Sequence, residues 1–283
     1  MSSRLDHHTP KYGDKVGNFG LSYHLEMLKD SERVGRIKLA LDEVLQPNGI
    51  HCELGIGTGV FAIYAASKCR KVYAVERDPA IYAFAKQNIE QSEYADRIEL
   101  HLADALDFVP AEKADTLLVE MMSIWCINEP QVPVMNHARE HILRPDGISI
   151  PSKIINLVEL GHYDFEVMGI PCPSSIPQFT GITAPRIMTQ SSLFNIFNFS
   201  EICPTSIEHQ IEMETLVDGS INCARLSSLV QLSPSITFYS TDSLMPLTIV
   251  PLEARKVQAG KTVGFYSQFQ VRTDLERSQF ELR

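Results

Sequence analysis

The sequence of 283 residues predicts an α/β fold in which a doubly wound parallel sheet, residues 1–150, is followed by a β-rich half, residues 151–283. Three observations carry this expectation. Helical and strand patterns alternate in the first half, a glycine-rich turn separates two apolar runs at Glu53-Leu54-Gly55-Ile56-Gly57-Thr58-Gly59, and helix-like periodicity fades beyond Pro151. Strand, helix, strand in succession implies parallel pairing with helices on both faces.

The elements follow in order. Residues 21–30 and 32–45 carry apolar side chains at spacings of three and four, which predicts two helices ended by Pro47-Asn48-Gly49. A strand then leads into Glu53, and the glycines open a helix. Val72 to Val75 reads as the second strand, and Pro79, suited to a first helical turn, starts a helix running to about Asn88. Ile98 to Leu102 and Thr116 to Val119 give two more short strands, while Val132 to Leu143 is helical and stops at Pro145-Asp146-Gly147. In the second half, apolar or alternating runs at Ile154 to Leu160, Leu226 to Leu232, Ile236 to Tyr239, Leu247 to Leu252 and Val263 to Val271 read as strands. Pro171 to Pro185 shows no readable element.

Composition narrows the function classes. At 44% hydrophobic the chain can bury a sizeable core. A formal charge of -10 and a pI of about 5.4, with acidic residues scattered, speak against nucleic acid and favour cationic partners. Cys52, Cys69, Cys126, Cys172, Cys203 and Cys223 form no C-x-x-C pair, so neither a metal site nor a disulfide framework is expected, and the reduced cytoplasm is the expected setting. His7-His8 and charged residues stand at the N-terminus, and no run of 18 apolar residues occurs, so no membrane segment is expected.

Three glycines at alternate positions let the backbone turn sharply and bring amides against a ligand, and the helix after them offers its positive end. Dinucleotide enzymes show G-x-G-x-x-G; here the order is acidic-x-G-x-G-x-G, with Val60 and Phe61 where the helix begins. That departure favours S-adenosylmethionine over a nicotinamide or flavin nucleotide, or over a plain glycine turn. Glu53 can receive the ammonium end of a methionine moiety, and Glu76, 23 positions on, both ribose hydroxyls. Ligands of an open parallel sheet bind beyond the carboxyl ends of its strands, so chemistry is expected after Thr116 to Val119. There Glu120 and Glu129, nine residues apart, can bracket one cationic nitrogen group and aim it at the sulfonium methyl; the alternative is two carboxylates on solvated loops. Trp125, the only tryptophan, lies between them as a substrate wall or as a buried ring, and the sequence leaves both open.

With these motifs in this order, the chain resembles the protein arginine methyltransferases, over roughly residues 18–155. Glu120 and Glu129 have the spacing of that family's double-glutamate hairpin, and Met122 matches the methionine inside it. His24-Leu25-Glu26-Met27-Leu28-Lys29-Asp30-Ser31-Glu32-Arg33 is similar to its helix pattern, which implies that Arg33 holds the cofactor carboxylate and that Met27 lines the pocket; His24 itself reads as structural and not catalytic. Glu53, Gly55 and Gly57 correspond to the cofactor loop and Glu76 to the ribose-binding acid. Asp104 stands where many class I methyltransferases contact the adenine amino group, although the arginine enzymes place their acid at what is Ala105 here. Ala138-Arg139, Leu143-Arg144-Pro145-Asp146-Gly147 and Pro151 continue the match. The resemblance implies a Rossmann-like core with a barrel-like second half, S-adenosylmethionine as cofactor, protein or peptide arginine or a small guanidino compound as acceptor, and a possible homodimer. Alternatives are a methyltransferase for another N, O or S nucleophile and a cofactor-binding regulatory protein without turnover. The sequence also departs from the family. Ser243-Leu244-Met245 replaces its Thr-His-Trp loop, Ile124 takes a usually aromatic position, and Asp14, Lys15 and Asn18 stand where aromatic residues cover the cofactor, with Tyr12 and Phe19 close by.

Overall fold

A computed structural model describes residues 20–283; the expectations placed on His7-His8, Tyr12, Asp14, Lys15, Asn18 and Phe19 lie outside the described residues. The chain forms two compact units, one of residues up to Glu120, Val134–Pro151 and Leu232–Ile236, the other of Met121–Pro133, Ser152–Gln231 and Thr237–Arg283.

The first unit is built on a parallel five-stranded sheet. In chain order come α1 (Leu21–Met27), α2 (Ser31–Val44), β1 (Ile50–Leu54), α3 (Val60–Ala66), β2 (Lys71–Glu76), α4 (Pro79–Glu90), β3 (Ile98–Leu102), β4 (Ala114–Val119), α5 (Gln131–His141) and β5 (Leu143–Ile150), and the strand order is β3-β2-β1-β4-β5. Local chemistry explains the helix starts. Asp30 caps α2 by accepting from the amides of Glu32 and Arg33, and Asp78 caps α4 ahead of Pro79. Ile37, Ala40, Leu41 and Val44 then bury one face of α2, and Ile81, Ala85 and Ile89 one face of α4. Strands β1, β2 and β4 are almost wholly buried, as strands covered on both faces must be, whereas the edges β3 and β5 are half exposed.

One expectation needs correction here. The helix predicted to reach Leu143 ends at His141, and Leu143–Ile150 is a strand that runs through Pro145 and Gly147. Proline removes a ladder donor, and an edge strand with one partner tolerates that loss. The irregularity shows in β4, whose register with β5 shifts between Ala114 and Thr116. No described helix is long and apolar enough to cross a membrane.

The second unit is antiparallel. It contains β6 (Lys153–His162), β7 (Glu166–Val167), β8 (Ile170–Pro171), β9 (Ile176–Pro177), β10 (Arg186–Ile187), β11 (Ser192–Asn198), β12 (Ser206–Glu214), β13 (Gly219–Gln231), β14 (Thr237–Tyr239), β15 (Thr248–Val257), β16 (Thr262–Gln270) and β17 (Gln279–Leu282). One sheet runs β10-β6-β13-β15-β9, with β11 beside β6 and β14 beside β13; another runs β12-β16-β17, and β7 pairs with β8. Strand β12 escapes sequence reading because only Ile207 and Met213 are buried among glutamates. In β6 the buried Ile154, Asn156, Val158 and Leu160 alternate with half-exposed neighbours.

His51, inside β1, is fully buried, with its Nδ1 2.9 Å from Thr116 Oγ1 and its Nε2 without a partner among the described residues. Burial pushes its pKa down to about 3. A histidine held neutral in the fold stabilises it fully above its ordinary pKa, and that contribution is lost as pH falls through the folded value, at up to about 1.4 kcal/mol per pH unit. His51→Gln should therefore flatten the dependence of urea-unfolding free energy on pH between about 6 and about 4; an unchanged slope excludes His51 as its source.

Candidate functional site

The carboxyl ends of four parallel strands each deliver an acidic residue: Glu53 in β1, Glu76 closing β2, Asp104 two residues beyond β3, and Glu120 directly after β4. The chain builds β1, β2 and β3 to one side, then crosses to β4 on the other, so β1 and β4 flank the point where the order reverses.

Gly55, Gly57 and Gly59 link β1 to α3, and all three adopt left-handed backbone, with φ of 75°, 54° and 82°. Residues with a side chain seldom take that conformation. The amides of Gly55 and Ile56 donate to Val75 O, which ties the turn to β2, and Asn88 Nδ2 from α4 donates to Thr58 O at 2.9 Å. Gly57 is also closed sterically, because a Cβ there would stand 2.8 Å from His24 Nδ1. His24 thus lies against the turn, in keeping with a structural role.

Glu76 accepts three backbone N–H groups: those of Arg77 and Asp78 at Oε1, both at 2.9 Å, and that of Gly57 at Oε2, at 3.1 Å. Burial raises its pKa, and these hydrogen bonds oppose the rise. Glu53 is 4% exposed, and its Oε2 has no hydrogen-bond partner among the described residues. Burial first, and the neighbouring Glu76 second, push its pKa well above the carboxylate range. Two carboxyl groups in one buried region are a demand for cationic or hydroxyl donors.

Arg33, buried on α2, forms an ion pair with Glu120 through Nη2 and Oε2. The side chains are 9% and 17% exposed, so solvent screens the pair little. Sequence reasoning gave these two residues separate roles, and no spacing rule signals a pair 87 positions apart. Met27 is buried at the end of α1. Asp104 is half buried and spends Oδ1 on the amide of Leu106, while Ala105 beside it is buried.

Met122 and Glu129 belong to the second unit. Met122 is buried. Trp125 is 0% exposed, which decides its role in favour of a buried ring. The residue that sequence reasoning passed over is Ser123, whose Oγ accepts the amides of both Asn128 and Glu129. A hydroxyl six residues ahead of a candidate carboxylate is too common to stand out in a sequence.

Comparison with known proteins agrees with this geometry. A family described as a methyltransferase domain matches residues 52–147. An uncharacterised protein of Methanocaldococcus jannaschii is 30% identical over 240 residues, 84% of this chain and 88% of that protein. The arginine N(omega)-methyltransferase of Streptomyces achromogenes is 32% identical over 135 residues, 46% of this chain but only 37% of that enzyme. In fold, the chain matches a chain of the Trypanosoma brucei PRMT1 enzyme-prozyme heterotetrameric complex with AdoHcy, at a TM-score of 0.75 and 16% identity, over 93% of this chain and 98% of that one. With its glycine turn and strand-end acids, the chain carries a methyltransferase domain over residues 52–147 and is similar, in sequence over part of its length and in fold over nearly all of it, to the protein arginine methyltransferases.

Proposed function

We propose that the chain transfers a methyl group from S-adenosylmethionine to a guanidinium nitrogen, of arginine in a protein or peptide or of a small guanidino compound. The main support is that Glu120, at the carboxyl end of β4, already takes a guanidinium, that of Arg33. The first unit also fits the donor, since Glu53 keeps a buried carboxylate oxygen with no described partner, as a receiver of an ammonium group needs. When bound, S-adenosylmethionine supplies a methyl on a positively charged sulfur, an excellent leaving group.

In this scheme Arg33 holds the donor's carboxylate, Glu53 its ammonium group, Glu76 the ribose hydroxyls and Asp104 the adenine amino group, while Met27 and Met122 line the pocket. Glu120 and Glu129 hold the acceptor by its N–H groups and orient a nitrogen lone pair, and alignment of this kind lowers a barrier by roughly 7–11 kcal/mol. The acceptor nitrogen sheds a proton as it gains the methyl, and one of the two carboxylates receives it. The donor's carboxylate and Glu120 share a claim on Arg33, so an arriving donor loosens the internal ion pair.

The Streptomyces relative is named for methylating arginine, which favours a guanidino acceptor. In place of a Thr-His-Trp loop stand Ser243, Leu244 and Met245, the last two 3% and 2% exposed, which keeps a small metabolite in view as acceptor. Release of S-adenosylhomocysteine with arginine peptides, free arginine and other guanidino compounds separates these acceptors, and no release with any of them leaves the regulatory role. Glu120→Gln and Glu129→Gln should each lower turnover by about 100-fold or more. Donor affinity should hold or tighten in Glu120→Gln, which removes the negative charge competing for Arg33; full turnover in both variants removes the clamp.

Donor binding should also depend on pH. Because the folded pKa of Glu53 is raised, its contribution to stability is lost as pH rises through that value, and the ionised form then gains most from an ammonium partner. Calorimetric affinity for S-adenosylhomocysteine should therefore tighten as pH rises through the elevated pKa. In Glu53→Gln it should be weaker by about tenfold and flat over that range, and a retained pH dependence assigns the titration elsewhere.

A further inference from the structure

The loop that ends in Glu129 is held by contacts that neither the glycine turn nor the strand ends explain. Trp125 and Cys126 both adopt left-handed backbone, with φ of 54° and 59°. Residues with a Cβ seldom adopt this conformation, so the surroundings must enforce it. Trp125 supplies the enforcement. Its Nε1–H is shared between Leu157 O at 3.2 Å and Ser227 O at 3.1 Å, carbonyls of two residues paired across β6 and β13. The indole stacks on Phe194 with centroids 4.5 Å apart and planes 15° apart. Phe194 sits where the β11–β6 register shifts between Leu193 and Asn195, so a bulge turns its ring onto the indole. Asn156 Nδ2 donates to Trp125 O at 3.4 Å, and Asn156 is itself fixed by Ser228 Oγ and Asn195 Oδ1.

From that anchor the loop turns back on Ser123. The carbonyl of Ser123 accepts from Cys126 N at 2.8 Å, and its Oγ accepts the amides of Asn128 at 2.9 Å and Glu129 at 3.0 Å. A further tether joins Ile127 O to the amide of Thr273, and Asn128 Nδ2 to Thr273 O. The amide of Glu129 is therefore held by the Ser123 hydroxyl, and the indole anchors the loop bearing that hydroxyl, with Thr273 as a second tether.

We propose that Ser123 and Trp125 are positioning residues for acceptor binding: Trp125 pins the loop to the β6–β13 sheet, and the Ser123 hydroxyl fixes the Glu129 backbone. The inference rests on the assignment of Glu129 to the acceptor.

The test measures S-adenosylhomocysteine release by the full chain with donor and acceptor titrated separately, using Ser123→Ala, Ser123→Thr, Trp125→Phe, Glu129→Gln and the Ser123→Ala/Glu129→Gln double variant. A loop displaced by about 1 Å loses on the order of 100-fold in rate, and a single lost hydrogen bond less, so Ser123→Ala should lower acceptor kcat/KM between about 10-fold and about 100-fold. Donor KM should stay within about twofold, because the donor's proposed contacts lie in the first unit. Ser123→Thr, which keeps the oxygen, should restore most of the loss. The double variant should be no worse than Glu129→Gln alone, the signature of one residue acting through the other. Trp125→Phe, which keeps an aromatic ring but loses the shared N–H, should follow Ser123→Ala if it folds; Ser123→Ala alone decides the matter if it does not. Parental acceptor kinetics in Ser123→Ala, or donor and acceptor constants that move together, overturn the positioning role. An impaired Glu129→Gln beside a parental Ser123→Ala overturns this inference alone, whereas a fully active Glu129→Gln overturns the role of Glu129 and the inference with it.

Discussion

The first unit depends on a backbone constraint: three glycines in left-handed conformation must carry the chain from β1 into α3 while the amides of Gly55 and Ile56 reach Val75 O. A side chain at Gly57 would strike His24, so the same turn fixes where α1 packs. Glu76 is tied to it through the amide of Gly57. Glycine is required there for geometry, and the geometry brings backbone amides and two buried carboxyl groups to the carboxyl ends of β1 and β2.

Electrostatics then organises what the turn assembles. Burial first and the nearby Glu76 second raise the need of Glu53 for a counterpart, whereas Glu76, also buried, has three backbone amides. Arg33 and Glu120 meet theirs in each other. The first unit thus holds both a buried carboxyl oxygen with no described partner, on Glu53, and a buried ion pair, Arg33 with Glu120, whose mutual attraction offsets the cost of burying each charge.

Much of this is legible in the sequence. Central strands β2 and β4 show as short apolar runs, which double coverage demands, β1 shows by leading into the glycine turn, and α2 and α4 show because their buried faces recur every three to four residues behind acidic caps. The edge strand β5 was hidden by Pro145 and Gly147, residues that a strand with one partner can carry. Strand β12, with two buried side chains among glutamates, sent too weak a period to notice. Residues Leu232–Ile236 join the first unit through Ser233 and Ser235, which both bond Glu43 of α2, and nothing local foretells that return of the chain.

By itself, the sequence determined the parallel core, its glycine turn and the acids at its strand ends, because glycine conformation, capping and apolar period are properties of neighbouring residues. Only the tertiary structure decided that Arg33 pairs with Glu120, that Trp125 is an anchor and not a pocket wall, and that Ser123 holds the amide of Glu129. The ion pair and the indole contacts join groups 30 or more positions apart, and the Ser123 bond depends on a left-handed loop that the buried indole enforces. Such contacts arise from packing, and no local pattern in the chain encodes which distant partner packing will supply.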